Sequence, residues 1–170
     1  MATMAKSIEL DDINVRILRA LQQDARISLS QLAEQAGLSA SPCSVRLRRL
    51  EKLGYITGYV ARVDERRFGE FITVFAEVTL IDQQDKTYKA FEKRVASIPE
   101  ILECHSVSGD TDYILKICID GMHNYQRLTE MLLEEMGYVR SFKSSVSMST
   151  IKSNFQPAIE QLEKAISKQA

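Results

Sequence analysis

The chain has 170 residues, of which 45% are apolar, and its 22 basic and 23 acidic residues give a formal net charge of -1. This length fits one large or two small domains, and no apolar run approaches the roughly 20 residues that a membrane-spanning helix needs. We find no charged-then-apolar leader, and Cys43, Cys104 and Cys118 are too few and too scattered for a disulfide framework. We therefore expect a globular, cytoplasmic protein whose thiols are reduced and lie within its core.

The segment from Glu9 to Asp24 is predicted to form the first helix. Ile13 and Ile17 recur at helical spacing, and Asp11 or Asp12 can cap the N-terminus of the helix. We expect this helix to complete a small core with the two helices that follow it.

Residues 29–56 are typical of two short helices joined by a glycine turn. Ser28 and Gln31 have the spacing of a capping box at the start of the first of these helices. Gly37 can take the positive φ that a tight turn requires, and Ser39 can cap the helix that begins after it. This layout is that of a helix-turn-helix unit that binds DNA.

The helix after Ser39 has one apolar side, with Cys43 and Leu50, and one polar side. Between Ser39 and Arg67, seven basic and three acidic residues give a local charge of +4. A charged helix face is usually only a solvated face, but the turn, the caps and the small polar residues at the helix start favour DNA binding. We predict that double-stranded DNA is contacted by Ser39, Ser41, Ser44, Val45, Arg48, Arg49 and Lys52.

The next segment, Tyr55 to Val63, is rich in β-branched and aromatic residues and is predicted to be extended. A winged variant of the motif stays open, although the segment is short for a full wing. We assign residues 8–62 to the DNA-binding domain, 63–70 to a linker, 71–152 to a second domain and 153–170 to a helical C-terminal extension.

The second domain alternates strand and helix patterns. A period-2 pattern begins at about Phe71, and two further strands flank a polar turn. The predicted elements are a first strand from Phe71, a helix with Tyr88 and Ile98, strands Ile101–Val107 and Tyr113–Ile119, a helix Met122–Met136 and a strand Val139–Met148. The order β-α-β-β-α-β predicts an α+β, ferredoxin-like domain of four antiparallel strands with two helices on one face.

No pattern in the sequence indicates catalysis. Cys104 and His105 are adjacent on a predicted strand, so their side chains point to opposite faces and cannot act as a nucleophile and its base. We find no zinc spacing, no phosphate-binding glycine loop and no nucleophile elbow. The strand Tyr113–Ile119 also lacks the basic and aromatic motif of RNA-recognition modules. We expect no catalytic residue, no metal and no cofactor.

The turn between the two central strands, Ser108 to Tyr113, has two interpretations. Glycine and aspartate are simply good turn residues, and composition alone favours that explanation. However, a carboxylate can pair with an α-ammonium group, and N–H groups beside a glycine can bind an α-carboxylate. The loop therefore has the groups needed to hold a free amino acid.

Two blocks of residues, in the expected order, resemble the Lrp/AsnC family of bacterial and archaeal transcription regulators. The resemblance covers roughly Glu9 to Ser153. It is carried by Leu10, Asp12, Ile17, Leu18, Arg26–Ser28, Leu32, Ala33, Gly37–Ser39, Pro42, Cys43, Arg46, Arg49–Glu51, Gly54, Ile56, Gly58 and Tyr59 in the first half, and by Glu103–His105, Val107–Asp110, Asp112, Tyr113, Leu115 and Lys116 in the second.

The resemblance implies a ferredoxin-like domain that binds small effectors, mostly amino acids, at the contact between dimers, which assemble further into octamers or related discs. Carried over by position, the effector set is Gly109, Asp110, Asp112, Met122, Ser145, Val146 and Ser147. Asp112 is expected to pair with the ligand ammonium and Asp110 to shape the turn. Ser145, Ser147 and Thr111 differ from the bulkier residues common in the family, which allows a larger or more polar pocket and makes leucine an unsafe choice of ligand.

We therefore expect a homo-oligomeric transcription regulator that responds to an amino acid. The alternative is a small-molecule-binding oligomer whose helix-turn-helix serves assembly only. Salt-dependent binding of the protein to its own promoter region would indicate a transcription regulator and not an assembly protein.

Overall fold

The computed structural model describes residues 10–134 and 137–153. The predicted C-terminal extension, beyond Ser153, lies outside the described residues. These residues fall into two compact units, 10–62 and 63–152, and residues 63–70 open the second unit with a short 3-10 turn at Glu65–Arg67. Within the described ranges, no helix is long and apolar enough to cross a membrane.

The first unit consists of three helices, α1 (Asp12–Gln23), α2 (Leu29–Ala36) and α3 (Ala40–Lys52). Each helix contributes the apolar side that its periodicity predicts, and Ile17, Leu32, Cys43 and Leu50 are almost completely buried between them. Burying an aliphatic side chain of this size is worth about 1.5–3 kcal/mol, so this shared core holds the three helices together.

Side-chain caps fix where two of the helices begin. The Asp11 carboxylate accepts the Asn14 backbone N–H at 2.8 Å, and the predicted capping box at Ser28 is complete. Gly37 ends α2 with a φ of 72°, as the turn requires. Ser39 occupies the N-cap position of α3, but its side chain makes no capping hydrogen bond, so that prediction is wrong.

The second unit follows the predicted order of strands and helices. Its elements are β1 (Phe71–Leu80), α4 (Asp85–Val95), β2 (Ile101–Ser106), β3 (Tyr113–Asp120), α5 (Gly121–Glu134) and β4 (Val139–Val146). The strands form one antiparallel sheet in the order β2-β3-β1-β4. The ferredoxin-like arrangement is thereby confirmed.

The two faces of this sheet differ. On one face, alternate residues of β1 and β3, such as Val78 and Leu115, pack against Phe91 of α4 and Leu128 of α5. We call the other side the open face. Among its residues are Phe75, Glu77 and Thr79 of β1, Ile114, Lys116 and Cys118 of β3, and Ser141, Lys143 and Ser145 of β4.

Candidate DNA-reading face and effector loop

The seven residues predicted to contact DNA lie together at the N-terminus and along the outward side of α3. All are exposed except Ser44, which is half-buried, and Val45 is 64% exposed although it is apolar. Arg48, Arg49 and Lys52 form no ion pair with another residue of the described ranges. We call these seven residues the reading face, since they leave three cations and one apolar side chain available to a partner.

Arg46 links the opposite side of α3 to α1, a role that sequence reasoning did not assign to it. Its Nη1 donates to Asp11 Oδ2 at 2.6 Å and to Asn14 Oδ1 at 3.0 Å. Burial acts to raise the pKa of Asp11, but the Asn14 N–H and the Arg46 guanidinium outweigh it and hold that pKa below its ordinary value. One signal in the sequence could have indicated this contact. Arg46 lies three residues after the buried Cys43, on the packed side of α3, where a cation needs an acid as its partner.

The segment after α3 is anchored at Tyr59. The Tyr59 hydroxyl donates to Glu51 Oε1 at 2.8 Å, and burial together with this bond raises the pKa of Tyr59 to about 12. Among the described residues, no strand lies between α3 and β1. The predicted extended segment thus returns to the end of α3 instead of forming a β-wing within the subunit.

We call Ser108–Asp112 the effector loop. The carboxylate of Asp112 accepts the backbone N–H of Leu80 at 2.7 Å and the hydroxyl of Tyr88 at 3.1 Å, and its own N–H donates to Val78. Asp112 therefore braces the loop against β1 and α4. This geometry weakens the expectation that Asp112 is the better partner for a ligand ammonium.

Asp110, by contrast, is exposed and lines a cleft of about 190 Å³ beside the open face. Glu77 and Lys143 are opposite each other on the neighbouring strands β1 and β4, and they bring both signs of charge to this cleft. Its remaining lining residues are Thr79, Thr111, Ile114 and Ser141. A cleft with carboxylates and an ammonium suits the two charges of an amino acid.

The predicted effector residues separate into two groups, one at the loop end of the sheet and one that extends from the middle of β1 to its other end. Asp112 N–H donates to Val78, whereas Ser147 N–H donates to Thr73 at 2.8 Å, five residues earlier on β1. At about 3.4 Å per residue, these points are roughly 17 Å apart. Met122 follows Gly121, whose N–H donates to Glu70, so it lies at the Ser147 end. One chain does not bring Gly109, Asp110 and Asp112 together with Met122, Ser145, Val146 and Ser147.

The Cys104 and His105 side chains lie on opposite faces of β2, as the strand alternation predicts. His105 and Lys116 both contact Glu103, at 3.2 Å and 2.8 Å, and these contacts lower the pKa of Glu103.

Of the thiols, only Cys43 is buried, so the expectation that all three lie in the core is wrong. No group of acidic, cysteine or histidine side chains in the described ranges is arranged to hold a metal.

Two family profiles match the chain in the order of its two units. Residues 10–57 match a winged helix-turn-helix DNA-binding family, and residues 73–157 match the Lrp/AsnC ligand binding domain. The chain belongs to the Lrp/AsnC family. Both halves of the resemblance drawn from the sequence are thereby confirmed.

Individual relatives agree with this assignment. The chain is 36% identical to the proline dehydrogenase transcriptional activator of Rhizobium radiobacter over 89% of its length and 97% of that protein. It is 38% identical to the leucine-responsive regulatory protein of Escherichia coli K12, over 85% and 88% of the two chains. A Neisseria meningitidis transcriptional regulator solved with L-Met superposes with a TM-score of 0.84 at 27% identity, covering 90% and 99%. These Lrp/AsnC relatives are transcription regulators and not enzymes, as expected for this chain.

Proposed function

We propose that this Lrp/AsnC protein binds specific DNA through the reading face and changes that binding when a free amino acid occupies a site at the effector loop. The observation that carries the proposal is the exposed, cationic outward side of α3, held on a buried helix-turn-helix core. A recognition helix in the major groove requires this division between a packed side and an exposed side.

On DNA, the residues of the reading face differ in role. Arg48 and Arg49 are suited to guanine edges or phosphates, Lys52 to phosphate, and Val45 to a thymine methyl group. The hydroxyl of Ser39 makes no cap bond and is exposed at the N-terminus of α3, where backbone N–H groups also favour a phosphate.

The effector is proposed to be an amino acid. A Neisseria relative was solved with L-Met, and the cleft at Asp110 carries the opposite charges that bind an ammonium and a carboxylate. Asp110 is proposed to accept the ligand ammonium, while Asp112 holds the loop in place. A screen for thermal stabilisation by each common amino acid identifies the ligand, because binding at about 100 times Kd raises stability by about 2.7 kcal/mol.

The site is proposed to form between subunits. Asp112 and Ser147 are roughly 17 Å apart along one sheet, farther than one amino acid reaches. A second copy of the chain is proposed to supply the second group where one dimer contacts another, and the homodimer itself is proposed to use the open face and to assemble further to an octamer. A two-fold dimer also places two recognition helices about one DNA turn apart. We place this assembly in the cytoplasm.

Mixed oligomers test the shared site. Asp110→Asn and Met122→Glu are each expected to abolish amino-acid binding as pure proteins. If sites form between subunits, co-assembly of equal amounts restores about a quarter of them, since some contacts then join two intact groups. Met148→Glu is the matched control, because Met148 is 94% exposed but outside the set. No recovery after verified subunit mixing would rule out a site shared in this way.

The alternative function, assembly through the helix-turn-helix without DNA binding, makes a different prediction. In that case Arg48→Ala changes the oligomeric state and leaves DNA affinity unchanged. We expect the reverse result, a loss of specific DNA affinity at an unchanged molar mass in light scattering.

A further inference from the structure

Arg46 lies on the packed side of α3, yet it is charged. It follows the buried Cys43 by three residues and precedes the buried Leu50 by four, so all three side chains point to the same side of the helix. Its side chain is 33% exposed, so water solvates part of it, and the part that faces the core bonds to acceptors on a neighbouring helix. The acceptors are both at the start of α1.

Asp11 and Asn14 form a compact acceptor pair. One oxygen of Asp11 caps α1 through the Asn14 N–H, and the other accepts Arg46 Nη1. Asn14 is only 4% exposed, so its side-chain oxygen needs a donor within the protein, and Arg46 Nη1 supplies it. Nη1 carries two hydrogens, and both are used in these bonds. This nitrogen is therefore already occupied when DNA arrives.

We propose that Arg46 is a positioning residue for DNA recognition, which fixes the rotation of α3 about its own axis by joining it to the first turn of α1. The inference rests on the proposed role of the reading face. Side-chain tips lie about 5–6 Å from a helix axis, so a rotation of about 20° moves them by roughly 2 Å. A base-edge hydrogen bond does not survive such a shift.

A positioning role and a phosphate contact have different signatures. Loss of a phosphate contact lowers specific and non-specific affinity alike and reduces the salt slope by about one. Loss of the α1–α3 tie misorients the reading face, so it lowers specific affinity while non-specific affinity and the salt slope stay the same. The ratio of specific to non-specific affinity is therefore the decisive quantity.

The test uses the full chain and a duplex selected from a random library by the wild-type protein, with a shuffled duplex as the non-specific reference. The variants are Arg46→Met, which keeps an unbranched chain without donors, and Asp11→Asn, which keeps a good helix N-cap but turns an amide toward Arg46. Arg48→Ala is the control for the reading face itself. Circular dichroism checks folding, and Asp11→Asn alone decides the question if Arg46→Met does not fold.

We expect Arg46→Met and Asp11→Asn each to lower the affinity ratio roughly tenfold at an unchanged salt slope. The double variant should lower the affinity ratio no further than the more severe of the two single variants does, because both changes remove the same contact between α1 and α3. A reduced salt slope in Arg46→Met, or an unchanged ratio in Asp11→Asn, overturns the inference. If Arg48→Ala also leaves the ratio unchanged, the reading face fails and this inference fails with it.

Discussion

The hydroxyl of Tyr88 donates a 3.1 Å hydrogen bond to the carboxylate of Asp112, joining α4 to the effector loop. The same carboxylate accepts the backbone N–H of Leu80 at the end of β1. One half-buried acid thus holds a helix, a strand and the loop in a fixed relation.

Asp112→Ala is expected to destabilise the second unit by about 1–3 kcal/mol, because it leaves the Leu80 N–H and the Tyr88 hydroxyl without their acceptor. Asp110→Ala is the matched control, since Asp110 is exposed and should change stability little. Urea unfolding followed by circular dichroism measures both. Equal stabilities for the two variants would show that Asp112 is not a brace.

Arg48→Ala and Lys52→Ala are expected to weaken DNA binding in different ways. Arg48→Ala should cost about 1–3 kcal/mol of specific affinity if the guanidinium meets a base edge. Lys52→Ala should lower the salt slope by about one if the ammonium meets phosphate. Anisotropy titrations at several salt concentrations separate the two effects. Wild-type behaviour of both variants would remove α3 from the reading role.

Val45 is expected to contact a thymine methyl group. Its 64% exposure meets the requirement that it is not buried within its own subunit. Replacing each thymine of the selected duplex by uracil should weaken wild-type binding at one position of each half-site, and Val45→Ala should be insensitive to the same replacement. If wild type and Val45→Ala respond alike to uracil at every thymine position, Val45 does not contact a thymine methyl group.

Tyr59 provides a prediction about pH. Its folded pKa of about 12 exceeds the ordinary value of 10.0, so the Tyr59–Glu51 bond stabilises the fold fully below pH 10 and is lost as the pH rises toward 12. The difference between wild-type and Tyr59→Phe absorbance titrations should show one phenol ionising near pH 12. Glu51→Gln should move that step part of the way back toward 10, because burial, the larger cause of the shift, remains. A step already at 10 in the wild type would mean that the bond is not formed in solution.

Much of the fold could be predicted because its determinants are local. The capping box at Ser28, the glycine turn at Gly37 and the alternation along β1 and β3 are set by near neighbours and by the side that must be buried. The exception at Ser39 is also local, since a residue suited to capping takes the right position without making the bond.

The site was harder to predict because it depends on distant pairs. The position of Arg46 indicates that it needs an acid, but not that the acid is Asp11, 35 positions away. The prediction for Asp112 likewise could not include its bond to the Leu80 N–H, which lies 32 positions away. The separation of Met122 from the loop follows only from the strand register. Residue types were accessible from sequence, whereas their partners were not.

The most direct test of the central claim is the affinity of the full chain for its selected duplex, measured with and without each common amino acid. We predict that at least one amino acid changes Kd by about fivefold or more, and that Asp110→Asn removes this response while leaving the effector-free Kd unchanged. Sequence-specific binding that no amino acid alters would contradict the account of an amino-acid-responsive regulator.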